Sequence, residues 1–159
     1  MKSAVQAGLI LGITVVVWTA LHAALGWYKD PGMSWTFWMV IPFELILVVF
    51  MLKNTKKQGF RYGQQVAAGL VMSLVGGAII FVGCYVLTTM VFPTYYADVR
   101  AMAESALTQS GQSPEQIKAI LDAQAKMMTP LMNSVMSFVG TLVTGLFGSL
   151  VAGVFIRNK

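Results

Sequence analysis

Four stretches of this chain are apolar almost throughout and long enough to cross a bilayer. They are "AVQAGLILGITVVVWTALHAALGW" (about 4–27), "SWTFWMVIPFELILVVFML" (34–52), "QVAAGLVMSLVGGAIIFVGCYVLTTMVF" (65–92) and "LMNSVMSFVGTLVTGLFGSLVAGVFI" (131–156). A helix needs roughly 20 residues to cross a hydrocarbon core about 30 Å thick. Lipid offers no partner for backbone polar groups, so each stretch must satisfy its own as a helix. Composition agrees: 57% of the residues are hydrophobic and 11% charged, against about 25% charged in a water-soluble domain. The expected fold is an all-α integral membrane protein of four transmembrane helices, a single domain over 1–159. The first run exceeds the usual 7 to 15 residues of a signal-peptide core and follows a lone Lys2, which favours a retained helix over a cleaved leader.

Charge sets the expected orientation. Lys2, Lys53, Lys56, Lys57, Arg61, Arg157 and Lys159 all fall on one side if the helices alternate, with no acidic residue among them. Lys29, Arg100, Lys118 and Lys126 are mixed with Asp30, Asp98, Glu104, Glu115 and Asp122 on the other. The positive-inside rule then places both termini in the cytoplasm. The formal charge of +5 is a consequence of membrane orientation, and a cytoplasmic loop of about a dozen residues gives nucleic acid no face to dock on. Trp27, Tyr28, Trp35, Trp38, Phe92, Tyr95 and Tyr96 gather at the opposite ends of the helices, the headgroup level that amphipathic rings prefer. The single Cys84 lies inside the third run, so no intramolecular disulfide forms.

Between the third and fourth spans lies a wet insert, about 94–129, expected to be an extracytoplasmic amphipathic helical hairpin. Ser113 suits an N-cap, Pro114 the first helical position, and Glu115 the positive end of the helix dipole. Ile117, Ile120, Leu121, Gln124 and Met128 trace one face, and Glu115, Lys118, Asp122 and Lys126 alternate in sign on the other. The preceding helix has a stripe of Val99, Met102, Ala103, Ala106 and Leu107, and "SGQS" is the turn. The two stripes can pack on each other over the bundle mouth, lie in the interface or meet a partner.

Several pieces in order resemble a small bacterial inner-membrane family known as domain-of-unknown-function family 4199. They are "AGLILG" in the first helix, "FRYGQQVAAGL" leading into the third, "SPEQI" in the insert and "MMTP" before the fourth. The resemblance implies a four-helix inner-membrane protein with an external helical insert, and carries no activity and no functional residues with it.

Glu44 is the sharpest candidate for chemistry. It stands near the middle of the second span, two residues after Pro42, and an ionisable group at that depth is a functional suspect by default. Pro42 would deprive the Trp38 carbonyl of its helical partner and open a kink. The functional reading is a proton or cation site; the plainer one is a neutral carboxyl hydrogen-bonded to a neighbouring helix. His22 lies toward the end of the first span, offset from Glu44 by roughly 7 Å at 1.5 Å per residue, so direct pairing needs tilt or a bridging water. No nucleophile sits with either in a readable motif, no cofactor is implied, and an enzyme is not expected.

Met128, Met132 and Met136 share a face if the helix runs through Pro130. Thioethers suit Cu(I), but methionine also fills gaps in apolar packing, and no metal is expected. Small residues mark expected helix contacts: Gly8 and Gly12 in the first helix, and Gly69, Ser73 and Gly77 in the third. The fourth carries two stripes, Gly140–Thr144–Gly148–Ala152 and Thr141–Gly145–Ser149–Gly153. Four-residue spacing of small side chains lets backbones approach closely in lipid, within one chain or in a homo-oligomer. The residues point first to a structural or accessory protein that meets lipid and other membrane proteins. They point second to a small proton- or cation-linked transporter or channel using Glu44.

Overall fold

The computed structural model describes residues 1–30 and 32–156. Six α-helices follow in order: α1 (Lys2–Ala24), α2 (Val40–Lys57), α3 (Tyr62–Val86), α4 (Tyr95–Gln109), α5 (Pro114–Met127) and α6 (Pro130–Ile156). Two 3₁₀ segments, Trp27–Lys29 and Ser34–Met39, join α1 to α2, and a π segment, Leu87–Val91, extends α3. Among the described residues there is no strand. Four helical stretches are long and apolar enough to cross a membrane: Lys2–Ala24, Ser34–Lys57, Tyr62–Val91 and Pro130–Ile156.

These four form a bundle in which α3 packs against α1 on one side and α6 on the other, while α2 closes the ring between α6 and α1. One end of the bundle, the terminal end, gathers the start of α1, the end of α2 and the start of α3. Gln58 there reaches Ser3 Oγ at 3.4 Å, and the Tyr62 hydroxyl donates to the Leu150 carbonyl at 3.2 Å. Lys2, Lys53, Lys56, Lys57 and Arg61 share that end. Arg157 and Lys159 lie outside the described residues. The opposite, hairpin end gathers the aromatics: Tyr28 and Tyr95 rings stand 4.6 Å apart, and Trp27 meets Trp18 at 6.0 Å.

The α1–α3 and α3–α6 contacts are made by small residues. A Cβ on Gly8 would sit 2.5 Å from the Met72 carbonyl oxygen and 3.2 Å from the Gly76 nitrogen, and one on Gly12 would sit 2.6 Å from Ile79 Cβ. On the other side of α3, Gly69 faces Ser149, Ser73 faces Gly145, and Gly77 lies against Phe138. Without side chains in the way, helices pack backbone to backbone, which is the main attraction available where lipid is as apolar as leucine. Tight apolar packing marks the terminal end: Ala4, Leu11, Val48, Leu52, Ala68 and Met72 are all fully buried. Apolar residues such as Ile13, Val17, Phe147, Val151 and Phe155 point outward instead, as a lipid-facing surface requires.

Two expectations are corrected. Pro42 does not kink the middle of a span. The chain enters as a 3₁₀ segment that runs directly into α2 at Val40, so Pro42 stands in the first turn of α2, beside the change from 3₁₀ to α geometry, where proline is tolerated. Met128, Met132 and Met136 do not share one continuous helix, because α5 ends at Met127 and α6 starts afresh at Pro130. Thr129 Oγ1 caps that start by accepting from the Met132 N–H at 3.1 Å.

The insert is a helical hairpin packed on itself. Ser113 and Gln116 form a reciprocal capping box at the start of α5, and Gly111 takes the left-handed conformation, φ 76°, that ends α4. Ile117 and Leu121 are buried, and Asp122 reaches across to Arg100 at 3.4 Å. The base of α4 meets the bundle. There Asp98 Oδ2 accepts from the Tyr28 hydroxyl at 2.7 Å and pairs with Lys29 Nζ, also at 2.7 Å. The Lys29 ammonium holds the Asp98 carboxyl below its ordinary value, with Tyr28 adding to the effect.

Candidate functional site

α2 places Glu44 in the middle of the bundle, 3% exposed, facing α6. Its Oε1 lies 3.3 Å from the point that a Cβ on Gly145 would occupy, and Ser73 Oγ crowds the same point from α3. Gly145 is therefore the gap in α6 that admits two polar side chains at once. Both Glu44 Oε1 and Ser73 Oγ are buried without a hydrogen-bond partner. An unsatisfied buried polar atom forfeits its hydration, on the order of 1–3 kcal/mol, so each calls for a physical explanation, such as a water or ion beside it.

Two adjoining cavities connect this position with the hairpin end. The deeper one, about 260 Å³, is lined by Glu44, Thr141, Thr144, Thr19, Cys84 and Ser137, with Phe37, Trp38, Val40 and Ile80 supplying apolar wall. The shallower one, about 290 Å³, shares Thr19, Phe37, Trp38, Cys84 and Ser137 and continues to His22, Asn133, Thr88, Tyr28 and Tyr95. Val99 of α4 lines its mouth, which puts the hairpin base over the entrance. Across the two cavities, the lining residues described include one carboxylate, Glu44, and one imidazole, His22, and no lysine or arginine.

His22 is 5% exposed. Its ring is held edge-to-face by Trp27 at 6.0 Å and Phe37 at 5.8 Å, and it lies within hydrogen-bond reach of the Met33 backbone. Its Nε2 has no partner. His22 and Glu44 therefore do not pair directly. They line two adjoining cavities that share part of their walls.

α3 loosens as it passes the outer cavity. Thr88 donates to the Cys84 carbonyl at 2.8 Å and Thr89 to the Tyr85 carbonyl at 2.6 Å. Hydroxyls that bond back along a helix compete with its ladder, and here the backbone widens into the π segment Leu87–Val91, a distortion found often beside functional sites.

Toward the terminal end the same α3–α6 seam continues at four-residue steps, with Gln65 beside Gly153 and Gly69 against Ser149. Gln65 is fully buried and neither of its amide atoms has a partner. Of the expected contact glycines, Gly8, Gly12, Gly69, Gly77 and Gly145 each face a neighbouring helix closely, Gly148 faces Leu45, and Gly153 faces Tyr62. Nothing lies within 4 Å of a Cβ on Gly140, which lines the deeper cavity. Gly76 and Gly83, which the four-residue spacing passes over, face Leu11 and Val16 of α1. Their separation of seven residues, two helical turns, was the available signal.

No curated protein and no solved structure is detectably similar to the chain. Residues 6–158, nearly its whole length, match the family described as protein of unknown function (DUF4199), and the chain belongs to that family.

Proposed function

We propose that this chain is a small carrier, not an enzyme, that admits a proton or monovalent cation to Glu44 from the side bearing the hairpin. The basic terminal end lies in the cytoplasm and the hairpin outside, as the positive-inside rule directs, in a bacterial inner membrane. The observation that carries the reading is Glu44 Oε1, buried and unpartnered in the wall of a cavity that adjoins the outer one. What sets Glu44 apart from Gln65, which is also buried and unpartnered, is that its carboxyl opens onto a cavity with room for a ligand. Level with Glu44 the contact of Ser73 with Gly145, and one turn below it that of Gly69 with Ser149, close the seam. This is the geometry of a carrier open to one side, with the inner route made by a shift of α6 against α3. The test is flux: the purified chain reconstituted in vesicles should pass protons or a monovalent cation, and Glu44→Gln should abolish that flux. Flux that survives Glu44→Gln, or none in the unsubstituted chain, removes the proposal.

A second reading, an accessory protein that offers helix faces to partners, has its own support: α4 buries no residue, and the Gly140 position of α6 is unoccupied. Crosslinking from the hairpin in intact membranes should then trap one defined protein, and repeated capture of nothing counts against it.

A further inference from the structure

The geometry points to an organic ammonium cation with apolar substituents as the ligand that Glu44 receives. This inference rests on the reading of Glu44 as a cation-accepting site and names the class of cation. The donor set decides between classes. A hard metal cation demands about six oxygen ligands, whereas among the described lining residues Glu44 brings one carboxyl to these cavities, with threonine and serine hydroxyls around it. The remaining wall is aromatic and aliphatic. Phe37 and Trp38 line both cavities, and Tyr28 and Tyr95 stand at the mouth. Aromatic faces attract a diffuse cation within about 6 Å of the ring and gain most where water is excluded. They do nothing comparable for a hydrated sodium ion.

Buried polar atoms lack partners in both cavities, Glu44 Oε1 in the deeper and His22 Nε2 in the shallower. A carboxyl with aromatic walls and, among the described lining residues, no lysine or arginine beside it favours positive charge, and two adjoining cavities leave room for a molecule with an apolar body behind its charge. The open position at Gly140 adds a route. With no side chain on α6 there, the deeper cavity has a gap between α2, at Val40 and Ile41, and α6, at Gly140 and Thr144. A cation that partitions into lipid enters by that gap, from the bilayer itself.

Benzyltrimethylammonium and its uncharged isostere neopentylbenzene test the inference on the full chain in lipid nanodiscs, read by tryptophan fluorescence and calorimetry. The ammonium should bind the unsubstituted chain at least about tenfold more tightly than the hydrocarbon, a difference worth about 1.4 kcal/mol. Glu44→Gln should remove that preference, and Trp38→Ala should weaken ammonium binding several-fold with the helical signal unchanged. Gly140→Leu, which closes the gap without touching Glu44, should slow binding. Equal binding of the two compounds, or no loss on Glu44→Gln, overturns the inference. Glu44-dependent proton flux without ammonium binding overturns it too, yet leaves the proposed carrier standing. Loss of both flux and binding in the unsubstituted chain removes the two together.

Discussion

At the terminal end of the bundle, Gly69 meets Ser149 and Gly8 meets the α3 backbone so closely that a single added carbon would collide. At the hairpin end, the same helices stand apart around two cavities lined by Thr19, Cys84 and Ser137. Both halves are apolar overall, and both contain buried hydroxyls. What separates them is the spacing of small residues. Where glycine and serine recur every four residues on facing helices, backbones close and little space is left between them. Where α3 gives way to its π segment and α6 presents Asn133 and Ser137, the helices cannot interlock and space remains. A carrier needs both: a fixed contact about which helices can move, and a volume for the cargo.

The largest effect that would break this comparison is at the seam. Gly69→Leu should destabilise the chain by about 3 kcal/mol or prevent its folding, since overpacking against Ser149 has no flexible side chain to absorb it. Thermal denaturation in detergent measures this, and a stable Gly69→Leu protein would show that the two helices do not touch as described. Ser137→Leu, on the wall shared by both cavities, should do the reverse. Filling space holds or raises stability by up to about 1 kcal/mol while flux falls. Ser73→Ala sharpens the boundary between the halves. Its hydroxyl is fully buried and unpartnered, so removing it should be neutral or stabilising if that spot is dry. A loss of more than about 1 kcal/mol would place an ordered water there.

Smaller effects lie at the hairpin. Asp98 is held below its ordinary value by Lys29, then by Tyr28. A group with a lowered folded value contributes above its unfolded value, about 3.9, and the contribution disappears as pH falls through the folded one. Attachment of α4 to the bundle should therefore be intact at neutral pH and weaken only in strong acid. Asp98→Asn should give faster amide exchange at the base of α4 at neutral pH, with the spans unaffected. Smallest of all, Gly140→Leu should change stability by no more than about 0.5 kcal/mol, because its Cβ meets nothing.

How far the sequence could be read follows from the range of each signal. Hydropathy over some twenty residues is a local property, and the spans it marks fall where the helices do, from Lys2 to Ile156. The turn and caps of the hairpin were equally local: Ser113, Pro114 and Gly111 act on the next few residues. Pro42 misled because its effect depends on where the helix begins, and the 3₁₀ entry Ser34–Met39 left no trace in periodicity. α1 ends earlier than its apolar run because Gly26, at φ 67°, turns the chain out before Trp27. Glu44 was visible as a carboxyl in the wrong solvent. Its surroundings were not, since Ser73 lies 29 residues away and Gly145 more than a hundred, and only the packing of three helices brings them together. His22 lines the adjoining cavity for a similar reason, through walls supplied by α3 and α6.

The native Cys84 tests the central claim, an aqueous path from the hairpin side toward Glu44. It lines both cavities and is otherwise buried. Thiosulfonates react with the thiolate, which forms only where water reaches the sulfur. A membrane-impermeant thiosulfonate added to oriented vesicles should modify Cys84 from the hairpin side and not from the terminal side, and Ser137→Leu should slow the reaction. A thiol that resists the reagent from both sides, or reacts equally from either, would contradict the account.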